Sequence, residues 1–275
     1  MNHPRDRFSA AIERPESQIG LAETALWVAA EEYPDLDVPA YLARLDAMAQ
    51  EAGPRVRAAG SLAERVDCLN DYLFRERGFS GNHERYDDPR NSFLNEVLDR
   101  GRGLPITLSI VYVEVGRRLG LPVCGVGFPG HFLAKLEGDS EILVDAFFGC
   151  TLTRDDCTER LRAVLGADAQ LVPRDHLRAA TTREILARLL TNLKQLYGRA
   201  GDWLRSLACS DRLLLLMPDS PSELRDRALT YEQLECFAAA ASDVERLLEI
   251  VPELGSGSPL RERLAELRRR AGPLH

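Results

Sequence analysis

The stretch GRGLPITLSIVYVEVGRRLGLPVCGVGFPGHFLAKLEGDSEILVDAFFG, Gly101 to Gly149, decides how this chain folds. From Ile106 to Leu119 nearly every face of a 3.6-residue period is apolar, carrying Ile106, Leu108, Ile110, Val111, Tyr112, Val113 and Val115. That pattern predicts a helix at the centre of a core. Pro105 suits its first turn, where the amide has no intrahelical partner. After the stop Leu119-Gly120-Leu121-Pro122 come two β-type runs, His131 to Leu136 and Glu141 to Asp145, on either side of the turn signal Glu137-Gly138-Asp139. A hairpin centred on Gly138 sets Lys135 opposite Glu141, Leu133 opposite Leu143 and His131 opposite Asp145, with Phe132, Ala134 and Leu136 on the other face.

A carboxylate beside a histidine fixes the tautomer and stabilises the imidazolium, which makes His131 and Asp145 the orienting half of a nucleophile-base-orienter triad. The same pair also describes a structural histidine satisfied at a sheet edge. Local chemistry leaves both readings open.

The order helix, strand with histidine, strand with aspartate resembles the transglutaminase-like (papain-like) superfamily, in which a cysteine opens the central helix. Counting back that family's spacing from Gly120-Leu121-Pro122 lands on Pro105, so proline stands at the nucleophile position. More closely, Asp88-Pro89-Arg90-Asn91-Ser92-Phe93-Leu94, Gly103-Leu104-Pro105-Ile106-Thr107-Leu108-Ser109, Gly125-Val126-Gly127-Phe128-Pro129-Gly130-His131-Phe132-Leu133 and Asp145 are similar to the SirB-type branch, which lacks the cysteine. The resemblance is tight from Asn91 to Cys157 and looser from Ile19 to Ser80. It implies an α+β domain, mostly helical with a small antiparallel sheet, and a cleft at His131 and Asp145. Asn91, Thr107 and Ser109, polar members of the matching motifs, are candidate ligand-binding residues.

No other residue obviously replaces the thiol. Cys124 lies on the run before His131, Cys150 lies five residues past Asp145, and Cys68, Cys157, Cys209 and Cys236 fall on helical stretches. None opens the central helix, whose N-terminal dipole would lower a thiol pKa. Thr107 and Ser109 are near that start, but an alcohol needs a base within reach and an oxyanion site.

With 275 residues, 45% hydrophobic and 28% charged, the chain is globular and long enough for one large or two modest domains. A net charge of −8 opposes sequence-independent binding to nucleic acid. Arg268-Arg269-Arg270 reads instead as cations at a helix C-terminus. Arg5, Asp6, Arg7 and Glu13 leave no apolar run for a signal peptide, and no long uncharged apolar segment follows, so a cytoplasmic protein without a membrane partner is expected. Six cysteines without Cys-x-x-Cys spacing read as reduced thiols. Five scattered histidines offer no helical pair for a metal, and no cofactor is expected.

Upstream of the central block the chain reads as helical. Ser17 to Glu32, Asp37 to about Ala52 and a third helix opened by the capping box Ser61-Leu62-Ala63-Glu64 and ending at Gly78 would cover the core. The polar segment Phe79 to Asn91 leads to a short helix, Ser92 to Asp99. Its Asn82, His83, Tyr86 and Asp87 either face the cleft or form a solvated connection, with Arg85 and Arg90 as anion-seeking groups.

The C-terminal part repeats. Leu190 and Leu224, Tyr197 and Tyr231, Trp203 and Phe237, Leu213 and Leu247, and Pro218 and Pro252 align at a shift of 34, the tetratricopeptide period. Gly201-Asp202-Trp203 is the helix-to-helix turn, and the second copy departs from it with Glu235 at the turn glycine. Ser258 as N-cap with Pro259 at N1 starts a last helix to about Arg270, and a helix near Thr182 to Leu190 joins the repeats to the core. The expected domains are therefore 1–180, SirB-type, and 181–275, an all-α repeat region docked on it. Such repeats present a face to peptides or partner proteins, with Tyr197, Trp203 and Tyr231 as candidate contacts.

Two classes of function fit. One is a non-catalytic, protein- or peptide-binding module, a pseudoenzyme with a regulatory role open to it. The other is an amide or acyl hydrolase or transferase using His131 and Asp145 with an unrecognised nucleophile or an activated water. Pro105 favours the first, because an oriented base with nothing to deprotonate supplies little of acyl-transfer catalysis.

Overall fold

The structure is a computed structural model that describes residues 3–138, 141–255 and 259–272. Its contacts form two compact units, Met1–Leu189 and Leu190–His275. The division falls nine residues beyond the boundary expected at 180/181, inside a helix that begins at Thr182 and runs on to Arg199 rather than ending near Leu190.

In the first unit the helices α1 (Pro4–Ile12), α2 (Leu21–Ala29), α3 (Val38–Ala58) and α4 (Leu62–Asn70) precede the central block. Helix α1 carries no strong sequence signal and was not expected. Helix α3 is capped by Asp37, whose carboxylate accepts the Ala40 amide, and it runs through Pro54 six residues past the expected end. The Ser61–Glu64 box opens α4 as its spacing demands, and a π-helical segment, Asp71–Glu76, continues it. Strand β1 (Ser80–Gly81) pairs in parallel with β2 (Arg102–Gly103), on either side of α5 (Leu94–Arg100).

Helix α6 (Pro105–Arg118) is the centre of the unit, with every residue from Pro105 to Gly116 buried. It packs against α2, α3, α5 and the sheet. Burying all faces of one helix accounts for its uninterrupted apolar character. Its one buried acid, Glu114, is paired with Arg118 one turn on, and Arg118 also reaches Asp46 on α3 at 2.6 Å.

The sheet has four antiparallel strands in the order β3 (Val123–Val126), β4 (Leu133–Glu137), β5 (Glu141–Asp145), β6 (Cys150–Leu152). The register between β4 and β5 corrects the sequence expectation. Lys135 lies opposite Leu143, Leu136 opposite Ile142 and Glu137 opposite Glu141, so the turn is centred one residue beyond Gly138, with 139–140 outside the described residues. Lys135 meets Glu141 only diagonally, at 3.8 Å, and contacts Glu137 at 2.6 Å. The expected register relied on the Lys135–Glu141 charge pair. The observed ladder keeps the same residues on each face as the expected one and lets Lys135 contact both Glu137 and Glu141. His131 likewise precedes β4 rather than lying on it.

The unit closes with α7 (Arg154–Leu165), which buries Cys157 and Leu161 against Val126, Phe128, Leu133 and Leu143, and with the short α8 (Pro173–His176).

The second unit is built from residues 190–199 of α9 (Thr182–Arg199) with α10 (Trp203–Leu216), α11 (Pro221–Gln233), α12 (Phe237–Ile250) and α13 (Pro259–Ala271). Helices α10 and α12 begin at Trp203 and Phe237 and end at Leu216 and Ile250, reproducing the 34-residue shift at both ends. Ala240, fully buried, lets α12 approach Ala228 on α11, with Tyr231 and Phe237 alongside. Glu235 takes the left-handed backbone that Gly201 takes in the first copy, φ 56° against 72°. The repeat geometry thus overrides the side chain. Ser258, expected to cap α13, lies outside the described residues.

Candidate functional site

Asp145 ends β5 completely buried, and its carboxylate is the hub of the site. Oδ1 lies 3.0 Å from His131 Nε2 and accepts the backbone amides of Phe147 at 3.0 Å and Phe148 at 3.2 Å. Oδ2 accepts from Arg160 Nη1 on α7. Burial alone would raise the carboxyl pKa, but the hydrogen bond and charge of His131 together with Arg160 outweigh it, holding Asp145 below the usual carboxylate range. An ionised Asp145 accepts from His131 Nε2, which fixes the ring's orientation and leaves Nδ1 on the far side.

Sequence and fold together bring the histidine here. The chain leaves β3, turns through Pro129-Gly130 with the His131 amide donating to Phe128 O at 3.0 Å, and presents the ring before β4 begins. After Asp145 the chain turns back at once, with Gly149 N donating to Asp145 O at 2.8 Å, so Phe147 and Phe148 are delivered beside the imidazole. The His131 ring stands 6.1 Å from Phe147, edge to face, and 6.2 Å from Phe148, nearly parallel. The Arg160 guanidinium lies 5.2 Å over Phe148.

The loop after β1 comes to the same place. Gly81 N donates to Phe147 O at 2.9 Å, and a Cβ on Gly81 would meet the Phe147 ring at 2.5 Å, so only glycine permits this approach. His83 then sits 4.5 Å from Phe147 and 5.3 Å from Phe148, and Tyr86 sits 6.0 Å from Phe147. Of the two anion-seeking arginines expected in this loop, Arg90 is tied to Asp88 at 2.7 Å.

An open pocket of ≈ 410 Å³ adjoins the histidine, lined by Pro129, Gly130, His131, Phe148, Arg160, Ala163 and Val164. Among the described residues, His131 Nδ1 has no hydrogen-bond partner.

The other candidates lie in the protein interior. Asn91, Thr107 and Ser109 are fully buried. Asn91 donates to Arg85 O at 2.6 Å and accepts from Asn82 at 2.9 Å. Thr107 donates to Asn91 O at 2.7 Å, and Ser109 approaches Phe132 O at 3.4 Å. The Thr107 bond ties the 82–91 loop to the first turn of α6. Pro105 is the buried first residue of α6, as its sequence position implies. Cys124 and Cys150 have thiols pushed up by burial, and Cys157 is raised to about 11 for the same reason. Cys150 is the direct cross-strand partner of Asp145. In the second unit Tyr197 is buried, with Arg205 5.8 Å over its ring, and Tyr231 packs beside Ala228 and Ala240 with Arg227 5.7 Å over it.

Sequence reasoning missed Arg160, Phe147 and Phe148. The aromatic pair had a signal, the Asp145-x-x-x-Gly149 turn; Arg160 had none, because it reaches Asp145 from another element. Among the described residues no cluster of three or more His, Cys, Asp or Glu is placed to hold a metal, and no helix is long and apolar enough to cross a membrane.

Comparison with known proteins identifies the family of each part of the chain. Residues 39–191 match the model of the transglutaminase-like superfamily and residues 193–269 that of the tetratricopeptide repeat. A UPF0162 protein of Xylella fastidiosa is 40% identical, covering 92% of this chain and 91% of its own. A UPF0162 protein of Pseudomonas aeruginosa is 35% identical over 90% of each, and protein SirB1 of Salmonella typhimurium is 30% identical over 81% of this chain and 82% of its own. No solved structure matches. The chain belongs to the transglutaminase-like superfamily and carries a tetratricopeptide region.

Proposed function

We propose, taking membership of the transglutaminase-like superfamily as the premise, that this protein binds rather than catalyses. Its first unit keeps an oriented histidine without a nucleophile, and its second recruits a protein or peptide partner through the helical repeats. The observation that carries the reading is that His131 lines the pocket and its Nδ1 has no hydrogen-bond partner among the described residues, while proline opens α6. A base that has nothing to deprotonate leaves the nucleophilic step unserved. Repeats of this type generally mediate protein contacts. Exposed free thiols at Cys150 and Cys236 suit a reducing, cytoplasmic compartment.

One observation favours acyl transfer. Cys150 is exposed and sits directly across the ladder from Asp145. Against it, burial and the Asp145 charge both raise its pKa, which keeps the thiol protonated and weakly nucleophilic at neutral pH.

Mass spectrometry after incubation with an activated ester tests the reading. The wild type should stay unmodified, and Pro105→Cys should gain slow, His131-dependent acylation, because the first turn of α6 lowers the pKa of a thiol placed there. Rapid acylation of the wild type at Cys150, Cys124, Thr107 or Ser109 that disappears in His131→Ala would make the protein an enzyme.

A further inference from the structure

Resting on that binding reading, we propose that the pocket beside His131 takes an apolar carboxylate, an ionised carboxyl group joined by a short stem to an aliphatic or aromatic group. The apolar half of the recognition comes from Pro129, Phe148, Ala163 and Val164. Phe148 is 56% and Val164 53% exposed, so covering them releases ordered water from two large side chains on neighbouring walls.

The polar half is Arg160. Its Nη1 is committed to Asp145 and its guanidinium is stacked on Phe148, so the plane of the group is held from two sides. Among the described residues its Nε and Nη2 have no hydrogen-bond partner. Those two N–H groups share one edge of the guanidinium and match the two oxygens of a carboxylate. His131 contributes a second point of contact. With Nε2–H given to Asp145, Nδ1 of the neutral ring is an acceptor and suits an amide N–H or hydroxyl on the stem.

Competing ligand classes fit less well. A cation meets the charge of the Arg160 guanidinium in the lining. A phosphate brings more oxygens and charge than one fork can satisfy, and the remaining walls are apolar. A pocket of ≈ 410 Å³ is within the range of small-ligand sites. The chemistry is shared by two sources, the C-terminal residue of a polypeptide and a free alkyl or aryl carboxylic acid.

Isothermal titration of the full chain decides it, with N-acetyl-Gly-Phe as the free acid, its C-terminal amide and 3-phenylpropionate as probes. The free-acid peptide should bind, and the amide should bind at least ~10-fold more weakly because it forfeits a charge-assisted pair. If 3-phenylpropionate matches the peptide, the source is a free acid; if it is ~10-fold weaker, the lost stem contact to His131 identifies a polypeptide C-terminus. Val164→Asp, at an exposed position, should weaken the acids at least ~10-fold by placing like charge in the wall. Arg160→Gln should do the same, and if that variant fails to fold, Val164→Asp and the amide still decide. Equal binding of acid and amide, no binding of either acid, or an unchanged Val164→Asp would overturn the proposal and leave the non-catalytic reading intact. Cleaved or protein-attached peptide in the same mixtures would overturn the non-catalytic reading and leave the pocket assignment standing.

Discussion

Each unit of this protein buries a charge, and the two are finished differently. In the second unit Lys194 is 8% exposed, and its ammonium sits 2.7 Å from both Glu223 Oε2 and Asp226 Oδ2. Burial would lower the Lys194 pKa, but these two carboxylates outweigh it and hold the group charged. The cluster closes on itself. In the first unit Asp145 is satisfied just as fully, yet the partners that satisfy it, His131 and Arg160, line a pocket and keep nitrogens without a hydrogen-bond partner among the described residues. Burial of an ion pair is therefore not what marks a site. Unspent hydrogen-bonding capacity facing a cavity is.

The strongest way to break this contrast is to remove one member of the closed cluster. Lys194→Met leaves Glu223 buried without its partner and should destabilise the second unit by about 3 kcal/mol, read from urea unfolding of the full chain. A cost under ~1 kcal/mol would mean that water already satisfies Glu223. Asp145→Asn should cost somewhat less, about 2 kcal/mol, because the amide oxygen still accepts from Phe147 and Phe148 while the charge-assisted bonds to His131 and Arg160 are lost.

That difference should also depend on pH. Asp145 has a folded pKa below its reference of 3.8, so its contribution is present above that value and disappears as pH falls through the folded pKa. Wild type and Asp145→Asn should stay apart above about pH 5, and the gap should close progressively as pH falls below 3.8 towards the folded pKa. A constant gap across that window would show that Asp145 is not ionised in the native state.

The smallest effect sharpens the contrast by improving only the unit without the pocket. The first repeat turns through Gly201-Asp202, where Asp202 caps α10 by accepting the Arg205 amide at 3.2 Å. The second turns through Glu235-Cys236, with a non-glycine in the left-handed region and no side-chain cap. Glu235→Gly should add ~0.5–1 kcal/mol after the entropy glycine brings to the unfolded chain, and Cys236→Asp about 1 kcal/mol. Thermal unfolding measures both, and the histidine ring signals of His131 should not move.

What could be read from the sequence followed how local the determining forces are. The buried helix Pro105–Arg118, the Ser61–Glu64 box and the 34-residue repeat are written in neighbouring residues, and each forms where its pattern places it. The hairpin register is a contest between strands. One charge pair, Lys135 with Glu141, does not fix it: the ladder sets Lys135 opposite Leu143, and Lys135 meets Glu137 at 2.6 Å and Glu141 at 3.8 Å. His131 still meets Asp145 despite the shifted ladder, because it stands before β4 on a turn free to reach the carboxylate. Arg160 was out of reach of any local pattern, since its only link to the site is spatial.

Asp145 gives the histidine its orientation and also ties the turn that follows, through the amides of Phe147 and Phe148 and through Arg160. A lineage that had shed acid–base chemistry altogether would still be held to an aspartate there by the folding of that turn. In chains built this way an aspartate at that position answers to architecture as well as to chemistry, so its presence alone does not sort this superfamily into active and inactive members.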